Sequence, residues 1–330
     1  MSGPSMVARA AWLFPGHGSQ YVGMGRELLE SWPAARATFE RAEALSGLPL
    51  RRIMLRGSDE ELRRPDVLEP ALVALSLGHA GLASERFGPP RAVAGYSAGA
   101  VAALCRAGVL SEEDALQAAV LRGRILQRAA EAGGGGMSAV SGLSLSRVRR
   151  LVARVGGVEL AGWNAPDQCT VTGRVEAIHL FERAALREGA GVSPVAAAGP
   201  WHGSLMREAA EEIAEALKPI RFSSPVLPVY TPVTGMREDD PAALRRGLAE
   251  QIMRPVLWRP LLRLLLRDTE RLYEIGPGHT LIGFARATVG SSRRHGLFAV
   301  ERAGGRLSRV AGVVAREDSS EKGEQVWRSV

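Results

Sequence analysis

The chain has 330 residues, of which 46% are hydrophobic and 23% are charged, and its formal net charge is +7. This size and composition predict a globular protein with a full core, between one large domain and two. No apolar run reaches the roughly 18 residues that a membrane span requires. Residues 1–10 lack the basic start and the apolar stretch of a signal peptide, so we expect a cytoplasmic protein without a membrane partner.

Nearly all of the positive charge is arginine, since Lys218 and Lys322 are the only lysines. The arginines are dispersed along predicted helices rather than clustered with aromatic residues, so we expect no nucleic-acid partner. An acidic protein or a phosphorylated ligand suits the charge better. Cys105 and Cys169 are too few for a disulfide framework and lack the spacing of a metal site, and we expect no metal.

Strands and helices alternate through residues 1–133. Ser111 stands in the N-cap position of one predicted helix, with acidic residues in its first turn. This alternation predicts a parallel sheet covered on both faces. The expected elements are a strand at 7–14, a Gly-rich turn at 15–20, a helix at 25–32, a helix at 70–87, a strand at 91–95 and helices at 98–108 and 112–130.

Four consecutive glycines at 133–136 form the clearest break in composition and predict a flexible hinge. The elements expected after it have the βαββαβ order of a ferredoxin-like fold. We therefore predict a small inserted subdomain at 134–199, with a substrate cleft between it and the parent sheet. Its expected elements are strand 137–140, helix 144–155, strands 158–163 and 168–172, helix 176–188 and strand 192–197.

The remaining chain returns to the first pattern and completes a discontinuous large subdomain of residues 1–133 and 200–315. Residues 316–330 are polar and charged without periodicity, and we expect them to be disordered. The elements expected after the insert are helix 203–217, strand 226–230, helices 241–253 and 255–266, and strand 271–275.

Ser97 is the predicted nucleophile. It stands at the centre of Gly95-Tyr96-Ser97-Ala98-Gly99, a G-x-S-x-G sequence between a predicted strand and a predicted helix. The glycines allow a turn tight enough to expose the hydroxyl, and the helix N-terminus directs amide groups at a developing oxyanion. An ordinary Gly-rich turn is the alternative, and five residues alone do not decide between the two.

A nucleophilic serine needs a base, and histidine is the usual one because it titrates near neutrality. Of the six histidines, two fall within amphipathic helices and one in a polar surface segment; these are His79, His179 and His295. The other three lie in Gly- or Pro-rich loops at strand ends, where parallel-sheet proteins place their sites. The residues alone leave all three open, namely His17, His202 and His279.

Six segments of the chain resemble the malonyl-CoA:acyl-carrier-protein transacylase family and the related acyltransferases of polyketide synthases. The segments occur in the family's order over residues 8–300, and together they are stronger evidence for the resemblance than any one of them alone. They are FPGHGSQ at 14–20, GYSAG at 95–99, LRGR at 121–124, NAP at 164–166, WHGSLM at 201–206 and YEIGPG at 273–278.

The resemblance implies an α/β-hydrolase-like core with a ferredoxin-like insert, and a stand-alone acyltransferase serving fatty-acid or polyketide synthesis in trans. It implies that Ser97 carries the acyl group as an ester and that His202 is the base in both half-reactions. The amides of His17 and Ala98 would form the oxyanion hole. The backbone near Gln251 would orient His202 in place of a triad carboxylate.

The resemblance also implies the substrates. Arg122 would pair with the free carboxylate of a malonyl group delivered by malonyl-CoA. The acceptor would be an acidic acyl carrier protein, which the positive charge would attract, and no metal or redox cofactor would be needed. A solvated helix arginine is the alternative for Arg122.

The chain departs from the family at several positions around the expected acyl pocket. Tyr96 stands where the family usually has His, Ala100 where it often has Glu, and His17 where it usually has Gln. Trp201 is larger than the family's usual Phe or Ser, and this volume favours malonyl over a branched methylmalonyl group. With Asn164, Tyr96 and Trp201 form the expected pocket.

Three alternatives use the same residues differently. The first is a proofreading hydrolase that passes acyl chains from carrier proteins to water, against which Arg122 argues. The second is transfer of a non-malonyl acyl group between carriers, since Tyr96 and Ala98 could reshape the pocket. The third is a catalytically silent docking module for carrier proteins, which retention of Ser97 and His202 disfavours.

Overall fold

The computed structural model describes residues 9–289, 295–300 and 308–309. The predicted disorder at 316–330 lies outside the described residues, as do the first two residues of the strand expected at 7–14. The described strands are β1 (Ala10–Phe14), β2 (Ala92–Gly95), β3 (Gly135–Ser141), β4 (Val158–Ala165), β5 (Gln168–Arg174), β6 (Gly191–Pro194), β7 (Val229–Thr231), β8 (Met236–Glu238), β9 (Arg271–Ile275), β10 (Gly296–Val300) and β11 (Ser308–Arg309).

The larger sheet has the strand order β11-β10-β9-β1-β2-β7-β8. Its five central strands are parallel, and β8 and β11 pair antiparallel at the edges. Alternate residues of β1 serve two cores: Trp12 and Phe14 pack on one face, Ala11 and Leu13 on the other. Burial on both faces explains why these strands are apolar throughout, as expected for a parallel sheet covered by helices.

Helices cover both faces of this sheet. Several match the sequence expectation. Ser111 caps the helix Glu112–Ala132 as predicted, and its hydroxyl accepts a hydrogen bond from the Asp114 amide at 3.0 Å. The helices are α1 (Arg26–Ser31), α2 (Pro33–Ser46), α3 (Leu50–Arg56), α4 (Asp59–Arg63), α5 (Pro65–Phe87), α6 (Gly99–Arg106), α7 (Glu112–Ala132), α8 (Leu145–Val155), α9 (Val175–Arg187), α10 (Arg207–Ala216), α11 (Pro241–Glu250), α12 (Trp258–Asp268) and α13 (Thr280–Val289).

The sequence reasoning missed α2, α3, α4 and α13. The signals for α2 are present, because Pro33 opens its first turn and Gly47 ends it in the left-handed region. The helix expected at 203–217 starts as a 3₁₀ turn at Ser204–Met206, and the one expected at 241–253 ends as another at Gln251–Met253. The strand expected at 226–230 is only Val229–Thr231.

Helix α5 is the central helix of the larger core. By length and composition it could cross a membrane, but 83% of its apolar window is buried inside the fold. Such burial is typical of a core helix in a soluble protein.

The smaller sheet is antiparallel, with the order β4-β5-β3-β6, and α8 and α9 pack against it. In chain order this is 2-3-1-4 of a βαββαβ unit, so the predicted α/β class with a ferredoxin-like insert is confirmed. Gly135 and Gly136 belong to β3, so only Gly133 and Gly134 precede the sheet. The limits 133/134 and 199/200 of the two subdomains stay predictions.

The chain turns sharply between β2 and α6, and glycines make this turn possible. A Cβ added to Gly95 would lie 2.3 Å from the backbone of Ala100, and one added to Gly99 would lie 2.1 Å from the Phe14 carbonyl oxygen. Gly16, in the loop after β1, is equally confined, at 2.3 Å from the Tyr96 carbonyl oxygen. The strand end, the helix start and the first loop therefore pack backbone against backbone.

We expect Gly99→Ala to lower the free energy of unfolding by about 1–3 kcal/mol or more, because its Cβ must displace backbone. Gly247→Ala in α11 is the matched control, since an added Cβ there meets nothing within 4 Å. That control should be neutral or stabilising by about 0.5–1 kcal/mol. Urea unfolding measures both, and equal stabilities would contradict the packing described at this turn.

Candidate active site

Ser97 lies at the tip of the turn between β2 and α6. Its φ of 52° is in the left-handed region, which residues other than glycine rarely adopt. The amides of Gly99 and Ala100 bond back to the carbonyls of Tyr96 and Ser97, so the helix starts directly after the serine. Such strain is typical of a functional position held by its surroundings.

His202 faces Ser97 across 105 residues of sequence, with Nε2 at 3.1 Å from the serine Oγ. Its Nδ1 lies 2.7 Å from the carbonyl oxygen of Gln251, and a carbonyl oxygen can only accept. Nδ1 therefore carries the proton and donates a hydrogen bond to the Gln251 carbonyl oxygen, which leaves Nε2 as the acceptor for the Ser97 hydroxyl.

The backbone fixes the position of the imidazole. His202 has a φ of 64°, and its amide donates to the Ile252 carbonyl oxygen at 2.6 Å. Both the ring and the amide of His202 are therefore tied to the 3₁₀ turn Gln251–Met253. Of the three histidines that the sequence left open, His202 is the one at Ser97, and His279 is exposed.

The environment of His202 favours its neutral form. Burial lowers the pKa of His202 to about 4; the charge of Arg122 acts in the same direction, and the hydrogen bond to Gln251 opposes it. A neutral imidazole is the form that can take a proton from Ser97.

His17 and Ala98, the residues expected to form the oxyanion hole, lie in the two segments that meet at Ser97. The first loop approaches so closely that a Cβ on Gly16 would lie 3.1 Å from the Ser97 Cβ, and Ala98 directly precedes α6. Among the described residues, neither amide has an acceptor within the chain. Both amides are therefore free to donate to an oxyanion, which is what an oxyanion hole requires.

A cavity of about 600 Å³ opens beside Ser97 and His202. Its walls come from the first loop, strands β3, β5 and β6 of the smaller sheet, and the start of α13. The three residues expected in the acyl pocket, Tyr96, Asn164 and Trp201, all line this cavity. Ser97 and His202 therefore lie between the two sheets, at a cavity that is open to a substrate.

A polar chain fixes one wall of the cavity. The Tyr96 hydroxyl donates to Oδ1 of Asn164 at 2.9 Å, and Nδ2 of Asn164 donates to Oγ1 of Thr170 at 3.0 Å. The Tyr96 ring packs edge-on against Trp258, 5.2 Å between centroids. Burial raises the pKa of Tyr96, so the phenol stays protonated and serves as a fixed donor.

Arg122 is fully buried and is not among the residues that line the cavity. Its Nε and Nη2 are 3.2 and 3.5 Å from the two carboxylate oxygens of Glu69, and its Nη1 donates to the Leu248 carbonyl oxygen at 2.8 Å. His17 Nε2 contacts the same carboxylate at 3.1 Å. Burial alone would raise the pKa of Glu69, but Arg122 and His17 outweigh it and hold it at about 2.

Sequence reasoning overlooked Glu69 and Thr170. A signal for Glu69 was available, because it is the single acidic residue in the apolar stretch of α5 from Val67 to Leu82. A charge there must be paired when the helix is buried. Thr170 gave no such signal, since a threonine in a strand is ordinary.

Within the described residues, no cluster of three or more His, Cys, Asp or Glu side chains is arranged to hold a metal ion.

We expect Arg122→Ala to lower the free energy of unfolding by about 3–5 kcal/mol, because it leaves the Glu69 carboxylate buried without its cation. Arg51→Ala is the control: Arg51 pairs with Glu43 nearer the surface, and its loss should cost at most about 1 kcal/mol. Urea unfolding compares the two. Similar losses for both variants would mean that Arg122 and Glu69 are not a desolvated pair.

Comparison with known proteins places this geometry in a family. Residues 11–300 match the model of the acyl transferase domain. The malonyl CoA-acyl carrier protein transacylase of Salmonella typhimurium is 35% identical over 289 residues, which cover 86% of this chain and 94% of that protein.

Solved structures agree with this match. The crystal structure of a malonyl-CoA:acyl carrier protein transacylase from Xanthomonas oryzae has a TM-score of 0.84 and 32% identity, covering 89% of this chain and 95% of that one. A malonyl-transacylase in complex with its type II polyketide synthase acyl-carrier protein has a TM-score of 0.84 and 31% identity, covering 89% and 96%. The chain belongs to the malonyl-CoA:acyl-carrier-protein transacylase family of acyl transferase domains.

Proposed function

We propose that this protein transfers a malonyl group from malonyl-CoA to the phosphopantetheine thiol of an acyl carrier protein, through an ester on Ser97. The observation that carries the proposal is the hydrogen-bonded series from the Gln251 carbonyl through His202 to Ser97, which ends at the wall of an open cavity. The family membership supplies the acyl group and the two carriers.

In the first half-reaction, Ser97 Oγ attacks the thioester carbonyl while Nε2 of His202 takes the hydroxyl proton. The resulting oxyanion accepts hydrogen bonds from the amides of His17 and Ala98. The tetrahedral intermediate then collapses: the C–S bond breaks, the imidazolium returns the proton to the sulfur, and coenzyme A leaves as a thiol. Ser97 is left as a malonyl ester.

In the second half-reaction the acyl group leaves Ser97 by the reverse of these steps, with a new thiol as the acceptor. His202 takes the proton of the phosphopantetheine thiol, the thiolate attacks the ester, and the proton returns to Ser97 Oγ as the acyl group leaves. Coenzyme A and the carrier use one site in turn, which makes the reaction ping-pong. Ser97 and His202 carry both steps, so the proposed reaction uses no resident cofactor.

The acceptor is an acidic carrier protein in the cytoplasm, drawn by the chain's net charge of +7. In the acyl pocket, the buried Trp201 narrows the space beside Ser97 and favours an unbranched acyl group. The carboxylate of a malonyl group could pair with Arg122 only if both it and Glu69 bound the same guanidinium.

Incubation with malonyl-CoA should add one malonyl group to the protein, and intact-mass measurement with peptide mapping should place it on Ser97. Ser97→Ala should abolish the adduct, and His202→Ala should slow its formation by about 10²–10⁴-fold because the base is lost. Ser204→Ala is the matched serine control and should load like the parent, because Ser204, two residues after His202, is exposed and does not line the cavity. An adduct that persists in Ser97→Ala would overturn the assignment.

The rate of Ser97 acylation at sub-saturating malonyl-CoA should change little between pH 7 and pH 5. The base must be neutral, and the pKa of His202 is lowered to about 4, so its protonated fraction grows only as the pH falls toward that value. Stopped-flow loading with circular dichroism at each pH measures this. An acid limb centred near the ordinary histidine pKa of about 6.5 would contradict it.

A further inference from the structure

The acyl cavity contains no fixed charge at its surface. Among the described residues that line it there is no Arg, Lys, Asp or Glu. His17 and His202 are its two histidines, and much of the remaining wall is apolar, including Met137, Val195, Trp201, Leu281 and Phe284. Such a surface stabilises an uncharged acyl group and gives a carboxylate little compensation for lost water.

The nearest permanent cation is already neutralised inside the protein. Arg122 and Glu69 are both buried, at 0% and 1% side-chain exposure, and the carboxylate spans the Nε and Nη2 edge of the guanidinium. This bidentate arrangement is the one that an arginine offers to a substrate carboxylate. Glu69 therefore occupies a position that a malonyl carboxylate would need.

The packing of α5 against α7 holds Glu69 at Arg122. A Cβ added to Gly123 would lie 2.7 Å from the Pro65 carbonyl oxygen and 3.3 Å from the Glu69 Cβ. The two helices therefore touch through this glycine, one residue after Arg122. The pair is part of the helix contact itself, so a substrate cannot displace Glu69 without a change in that contact.

The charge of Arg122 is compensated at Glu69. Arg122 and His17 contact its carboxylate, and His202 lies near enough to Arg122 for its charge to disfavour the imidazolium. Within the Arg122–Glu69 pair, the positive and negative charges cancel. A carboxylate entering the cavity gains little from a cation that is compensated in this way.

We propose that Glu69 is a specificity-determining residue that neutralises Arg122, so that this enzyme loads uncharged short acyl groups with an efficiency comparable to malonyl. The inference rests on the proposed acyl transfer through Ser97 and extends its substrate class. Glu69 does not touch the reacting atoms; it acts through Arg122 on the acyl group that the cavity accepts.

The test compares kcat/KM for Ser97 acylation by malonyl-CoA and by acetyl-CoA. In the parent we expect the two values to lie within about tenfold, a difference of at most 1.4 kcal/mol. Glu69→Gln frees the charge of Arg122 and should raise the malonyl-to-acetyl ratio at least tenfold. Glu43→Gln, at the Arg51 pair far from the cavity, is the matched control and should leave the ratio unchanged.

A second variant tests the proposal independently in case Glu69→Gln does not fold. Replacing the whole pair by apolar residues of similar volume, Arg122→Met with Glu69→Leu, preserves packing, and such exchanges are often neutral or stabilising. Because the pair has no net charge, we expect the malonyl-to-acetyl ratio to stay within about threefold of the parent. Loss of malonyl loading with acetyl loading intact would overturn the proposal, because it would make Arg122 a working carboxylate site despite Glu69.

If Glu69→Gln has the same malonyl-to-acetyl ratio as the parent, the proposal about Glu69 is also overturned. If no acyl-CoA labels Ser97, the proposed function fails, and the charge proposal is then decided by calorimetric binding of both thioesters to Ser97→Ala, with and without Glu69→Gln. Tighter binding of malonyl-CoA relative to acetyl-CoA after Glu69→Gln supports the proposal. Unchanged relative affinities, or no binding of either thioester, overturn it.

Discussion

The site depends on one hydrogen bond, from Nδ1 of His202 to the carbonyl oxygen of Gln251. It fixes the tautomer, so that Nε2 is free to accept the proton of Ser97 at 3.1 Å. The acceptor is a backbone dipole rather than a carboxylate, so it orients the ring without adding a buried negative charge. The low pKa of His202 follows from that environment, because burial is its largest cause and outweighs the hydrogen bond to Gln251.

Ser97 and His202 both have strained backbone conformations at the point where they meet. Ser97 and His202 are the described non-glycine residues with positive φ, one at the end of β2 and the other in the loop after the smaller sheet. Gly95, Gly99 and Gly16 let the serine turn pack against the first loop with no room for a side chain. Packing elsewhere in the two cores holds these conformations in place.

The sequence predicted the α/β class and the ferredoxin-like insert because periodicity and element order are local signals. Ser97 could be predicted for the same reason, since the strand, the glycines and the helix are adjacent in sequence. His202 could be chosen among three loop histidines only through the family resemblance. Its contact with Ser97 spans 105 residues, and no local pattern encodes that distance.

Glu69 shows what sequence reasoning left out. Arg122 was interpreted from its motif alone, as a carboxylate ligand, and its actual partner lies on another helix that approaches at Gly123. A buried ion pair of this kind contributes little net stability but is costly to break from one side. Under the specificity role proposed for Glu69, the same arginine has a different effect on substrates because its charge is compensated.

The central claim is that the ester on Ser97 is an intermediate on the way to a carrier thiol. The most direct measurement isolates the acylated protein and mixes it with phosphopantetheinylated acyl carrier protein in a single turnover, following both masses. The account predicts that acyl loss from Ser97 accelerates with carrier concentration and is matched by equal gain on the carrier. Acyl loss at one rate with and without the carrier, with all of it going to water, would contradict the account.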